Sequence, residues 1–161
     1  MKPKRYKLFA TMVVSAGLLL AFFFILNTSY SKESLHNRPS YVKLGSAVFK
    51  AKVVENEADR IRGLSGTESL GQNEAMLFIF PKNNRWGIWM KDMNYPIDII
   101  WLNQQKEVVD IERSAQPESY PDKTFHPSVD AKYVLETIAG ASDRYGIKIG
   151  SKANFELDGS S

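Results

Sequence analysis

Two carboxylates stand where side-chain alternation calls for apolar residues. Asp98 shares a strand face with Ile100 and Leu102 in the run Ile97-Asp98-Ile99-Ile100-Trp101-Leu102, and Glu136 shares one with Val134 and Ile138. A bare carboxylate is expensive to bury, so each must be paired, hydrogen-bonded, protonated or put to use. Used together, they form a hydrolase site of the glycosidase kind, which needs both groups in one cleft roughly 5–10 Å apart. Used alone, Asp98 is a general acid or base, or a carboxylate that binds a ligand. Its structural reading has it accept backbone N–H groups or pair with Lys91, Arg60 or Arg62.

Aromatic residues crowd the same region. Trp86, Trp89, Tyr95 and Trp101 all fall within Met76–Leu102. They either pack as core, the commoner fate of aromatics in a small β-domain, or Trp89 and Tyr95 face outward. In the second case they make a platform for a sugar or peptide, with Asp98 and Lys91 at its edge. Gly87 suits either arrangement, since a strand glycine marks close backbone approach. Arg60 and Arg62 either grip an anionic ligand or pair with Asp98 or Glu136 and fix the fold.

Other chemistries are poorly served. Met76, Met90, Met93 and His126 offer soft donors of the kind that suit Cu(I). Met76 and Met90, however, lie on apolar strands, where methionine is ordinarily filler. Cysteine is absent, which excludes disulfides and thiolate metal sites. Gly63-Leu64-Ser65-Gly66 is not a nucleophile elbow, because Thr67 stands where the second glycine belongs. No phosphate-binding or dinucleotide fingerprint occurs. The expectation is a binding site built on Asp98, Trp89, Lys91, Arg60, Glu136 and Tyr95, with no catalytic residue assigned and no metal or cofactor.

The elements that position these residues follow from the order of the chain. Residues 1–7 carry four positive charges and no acid, and residues 8–26 are 19 uncharged, mainly apolar positions. A helix of that length just spans a hydrocarbon core of roughly 30 Å. The positive flank then stays in the cytoplasm and the rest of the chain lies beyond the membrane. A cleaved signal peptide, leading to secretion, is the alternative; its apolar run would be shorter and end in a small-residue site. Residues 27–40 are polar and aperiodic, as a tether is.

Residues 41–158 read as one β-rich domain. Residues 1–40 hold six Lys/Arg and one Asp/Glu, whereas residues 41–161 hold 15 and 17. The folded part is therefore mildly acidic and has no basic stripe for nucleic acid. Ala47, Phe49, Ala51 and Val53 alternate onto one strand face. Asn56 is placed to cap a short helix that ends at Arg62 before Gly63. Met76–Phe80 is a continuous apolar run, as in a central strand. Strands are also expected over 97–102, 107–112 and 131–138. Ser114–Ser128 reads as a long loop, Ser142 as the cap of one helical turn, and Ile147–Leu157 as a last hairpin-like pair. The pattern predicts a mainly β, compact antiparallel sandwich or barrel-like domain with one or two short helices.

Several of these segments resemble the bacterial and archaeal family catalogued as domain of unknown function 192. They are Arg60-x-x-Gly63-Leu64, Met76-Leu77-Phe78-x-Phe80-Pro81, Trp89-Met90-Lys91, Pro96-Ile97-Asp98-Ile99-Ile100, Val134-Leu135-Glu136, Ala139-Gly140 and Gly146-Ile147-x-x-Gly150. Ala75, Ile88, Asp92-Met93 and Ser151 depart from its pattern. The resemblance implies a mostly β fold, often exported or membrane-tethered, and no established activity. The expected protein is thus a membrane-anchored extracytoplasmic β-domain that binds a small molecule or an envelope protein, with the lipid bilayer as partner of residues 8–26. A hydrolase using Asp98 and Glu136, or a purely structural envelope protein, are the alternatives.

Overall fold

The computed structural model describes residues 40–157. The basic segment, the apolar segment and all of the tether but Ser40 lie outside the described residues. Among the described residues, no helix is long and apolar enough to cross a membrane.

The fold is mainly β. Strands β1 (Ser40–Leu44), β2 (Ala47–Val54), β3 (Glu74–Asn84), β5 (Ile97–Leu102), β6 (Val108–Ala115) and β8 (Ala131–Ile138) form one sheet in the order β1-β2-β3-β8-β5-β6. Two short strands, β4 (Ile88–Trp89) and β7 (Thr124–Phe125), form a separate ribbon. The sheet is mixed rather than antiparallel: β2 and β3 run parallel, while β8 pairs antiparallel with β3 and β5. Parallel neighbours need a crossover rather than a tight turn. Residues 55–73 supply it, and they contain helix α1 (Glu57–Arg62). No barrel closes, because β1 and β6 are separate edges of the sheet.

Each sheet face buries its own apolar cluster. Leu77, Ile100, Leu102, Leu135, Ile147 and Phe155 belong to one, and Met76, Phe78, Ile99, Trp101, Ile88 and Phe125 to the other. That explains the unbroken apolar runs: every residue of β5 is buried, as expected of a strand covered on both sides. The predicted hairpin over Ile147–Leu157 does not form. Its β-pairing among the described residues is limited to the isolated bridges Lys43↔Asn154 and Glu107↔Lys152, and it covers the first cluster.

Helix α1 is built as its sequence implies. The Asn56 side chain accepts the Asp59 N–H at 2.9 Å, and Gly63 ends the helix at φ 49°. Asn56→Ala should cost about 1 kcal/mol, the usual value of such a cap, read as a shift in the urea midpoint at constant m. The second helix, α2 (Ala141–Arg144), is capped by Gly140 in the left-handed region and not by Ser142.

Candidate functional site

Asp98 is completely buried and fully used by the backbone. One oxygen, Oδ1, accepts the N–H groups of Ser114 (2.9 Å) and Gly140 (3.2 Å), and Oδ2 accepts that of Ser142 (2.8 Å). The Ser114 donor is aimed by a bulge. Ile97 pairs with Ala115 but Ile99 pairs with Glu112, so Arg113 and Ser114 share the space opposite Asp98. Ser114 adopts φ 52° there. The carboxylate thus ties β5 to the end of β6 and to the start of α2. Neither Lys91 nor an arginine takes part in it.

Cross-strand register then decides the carboxylate pair. Asp98 lies opposite Thr137 on β8, and Glu136 lies opposite Ile99. Directly opposed residues share a face and neighbours along a strand do not, so Asp98 and Glu136 point to opposite sides of the sheet. The expected two-carboxylate hydrolase site is not formed.

Glu136 is the exceptional residue. Met76 and Ile99 flank it across the two neighbouring strands, and it is buried at 4% exposure. No hydrogen bond or ion pair from the described residues reaches its carboxyl group. Burial alone pushes this carboxyl up to about 8, because the charged form has lost water and gained no partner. At neutral pH the acid is therefore mostly protonated.

Glu136 opens into a cavity of about 420 Å³, within the ordinary size range of small-ligand sites. The sheet supplies its floor through Phe78, Phe80 and Glu136. One wall is α1 with the turn that follows it, and the other is the segment 86–89. Phe80 stacks on Trp86 with ring centroids 4.3 Å apart, and Phe78 lies 6.4 Å from Phe80. The Arg60 guanidinium sits 5.4 Å from the Phe80 ring centre, and its Nη1 donates to the carbonyls of Glu55 and Ile79 (3.1 Å to the latter). Arg60 thus pins α1 to β3 instead of pairing with either carboxylate. Gly87 explains how the far wall closes: a Cβ there would lie 2.5 Å from the His126 ring. The ring packs directly against the glycine backbone while its Nδ1 meets the Arg85 carbonyl at 3.2 Å.

Comparison with known proteins assigns the family and the fold. Residues 41–155 match the family model for domain of unknown function 192, described as "Uncharacterized ACR". The chain belongs to this family. A "UPF0127 protein" of Thermococcus sibiricus is 32% identical over 111 residues, which cover 68% of each protein. A crystal structure of a Novosphingobium aromaticivorans protein of unknown function superposes with a TM-score of 0.66 at 29% identity, over 72% of this chain and 83% of that one. A Sinorhizobium meliloti protein described as a candidate transcription regulator superposes at 0.68 and 23% identity, over 72% and 92%. That last likeness is one of fold.

Within this domain-of-unknown-function-192 chain, the cavity gathers three of the six expected site residues: Glu136 on its floor, and Arg60 and Trp89 on its walls. It does not include the other three. Asp98 faces the opposite side. Lys91 is exposed, and its carbonyl accepts the Ser65 hydroxyl. Tyr95 is buried, its hydroxyl 2.6 Å from that of Thr67. Burial raises the Tyr95 phenol; the Thr67 hydrogen bond pulls against this, and the nearby charge of Glu136 adds to the rise. The outward platform of Trp89 with Tyr95 is therefore not made. Trp89 is 43% exposed, whereas Trp101 is buried and donates its Nε1–H to the Trp86 carbonyl. Phe78, Phe80, Trp86 and Met93 were not anticipated as lining residues. Met76, Met90 and Met93 pack with apolar neighbours, and the described residues contain no cluster of three His, Asp or Glu side chains able to hold a metal.

Proposed function

We propose that this domain binds a small, largely apolar ligand in the cavity above Glu136. The observation that carries the reading is a buried carboxyl with no partner among the described residues, opening into an aromatic-walled hole. Buried polar groups are normally satisfied, and an exception calls for a role. A ligand that bonds to Glu136 removes the deficit and buries apolar surface at roughly 25 cal/mol per Å². Segments that carry the family resemblance supply much of the lining, among them Arg60, Gly63-Leu64, Phe78, Phe80-Pro81 and Glu136.

The test is a fragment screen on the full chain, read through the 13C-methyl NMR signal of Met93, which also lines the cavity. Saturable shifts at Met93 are expected, and they should weaken at least tenfold in a Phe80→Ala variant that remains folded. A library that leaves Met93 unmoved would remove the reading.

We further propose that residues 8–26 anchor the chain and that the β-domain works outside the cytoplasm. The 19-residue apolar run with its positive flank supports this. The expected outcome is recovery in the membrane fraction, with the β-domain accessible to protease added on the outer side. A soluble or protease-shielded domain would contradict it.

A further inference from the structure

The chemistry around Glu136 also restricts the charge of the ligand. We propose that the cavity selects an apolar organic cation, an alkyl- or arylammonium, whose positive centre pairs with Glu136 while its hydrocarbon body lies against Phe78, Phe80 and Trp86. This rests on the cavity being the binding site.

Two features of the lining favour a cation. The first is the disposition of charge. Arg60 is committed to the carbonyls of Glu55 and Ile79, while Arg62 and Glu57 are exposed, where solvent screens them. Glu136 is then the only buried ionisable group of the lining. Once ionised, Glu136 would repel an anion and attract a cation, and no other buried charge of the lining offsets it.

The second is the ring system. Stacked aromatic faces carry negative quadrupole potential, which attracts cations and repels the lone pairs of a neutral acceptor. Phe80 already holds one cation in this way, the guanidinium of Arg60.

Binding is then linked to a proton. The protonated carboxyl gives its proton to solvent, and the carboxylate so formed pairs with the ammonium, one proton leaving per cation bound. The other ionisable groups around the site are Tyr95, Glu57, Arg60, Arg62 and, behind Gly87, His126. The profile is therefore read as the difference between the parent and Glu136→Gln.

The experiment uses the full chain in lipid nanodiscs and two probes of one shape, benzyltrimethylammonium and its neutral isostere neopentylbenzene. Binding is followed at the Met93 methyl signal against empty-nanodisc controls. The cation is expected to bind more tightly than the isostere. Its affinity should rise about tenfold per pH unit below pH 8, as the competent carboxylate fraction grows, and this dependence should vanish in Glu136→Gln. If the neutral probe binds as well or better, with affinity that does not rise with pH, the cation inference is overturned while the cavity reading stands. If neither probe moves Met93 and no member of the fragment library does, both fail.

Discussion

Asp98→Asn should lower the free energy of unfolding by about 3 kcal/mol and the melting temperature by about 10 °C. The carboxylate accepts three backbone N–H groups from two otherwise separate segments. Such charge-assisted bonds are roughly twice as strong as neutral ones. An asparagine keeps the shape but turns an N–H₂ group toward a backbone donor, so at least one buried donor is left facing another. Ser142, which is buried, has no water to turn to. The loss should appear as a lower urea midpoint at unchanged m. Probe binding to the folded variant should be untouched, because Asp98 and the cavity lie on opposite faces of the sheet. Stability equal to that of the parent would mean that the three hydrogen bonds do not hold the fold.

Glu136→Gln should act in the opposite direction, and only at the alkaline end. Burial raises this carboxyl from 4.5 to about 8. Between those values the folded protein holds a proton that the unfolded chain has released, so stability falls as pH rises through that window. At about 1.36 kcal/mol per pH unit, the cost of ionising Glu136 in the folded state reaches on the order of 5 kcal/mol above pH 8. Glutamine has no such cost. Parent and variant should therefore unfold alike near pH 4, and the variant should be the more stable by several kcal/mol at about pH 8.5. A variant less stable than the parent at every pH would show that Glu136 has an ionic partner.

The elements nearest these two residues were legible because their patterns are local. Asn56 and Gly63 bracket α1, with acids in its first turn and bases in its last, and the alternation of Ala131–Ile138 defines β8. Asp98 and Glu136 stood out because each interrupts an apolar face. Their fates were decided by partners that periodicity does not encode. The donors to Asp98 come from a bulge at Ser114 and a turn at Gly140, 16 and 42 residues away. That the two acids face apart follows from the β5–β8 register.

Strand direction was hidden for a similar reason. Alternation reads the same in parallel and antiparallel sheets, although a helix between β2 and β3 is what a parallel crossover requires. Strand β7, two residues inside a proline-rich segment, is too short to show any period. Phe78 and Phe80 do lie on a buried strand, as their run implies. What exposes them to a cavity is the incomplete cover given by a six-residue helix and a two-residue strand.

The central claim is that Glu136 is a buried carboxyl without a partner among the described residues, kept for a ligand. It is tested most directly by 13C NMR of the glutamate side-chain carboxyls, with Glu136 assigned through Glu136→Gln and followed from about pH 4 to about pH 10. A midpoint near 8 that falls when benzyltrimethylammonium occupies the cavity is the predicted result. A midpoint in the usual carboxylate range, between about 4 and about 5, would contradict it, because a carboxyl that ionises so readily is already solvated or paired.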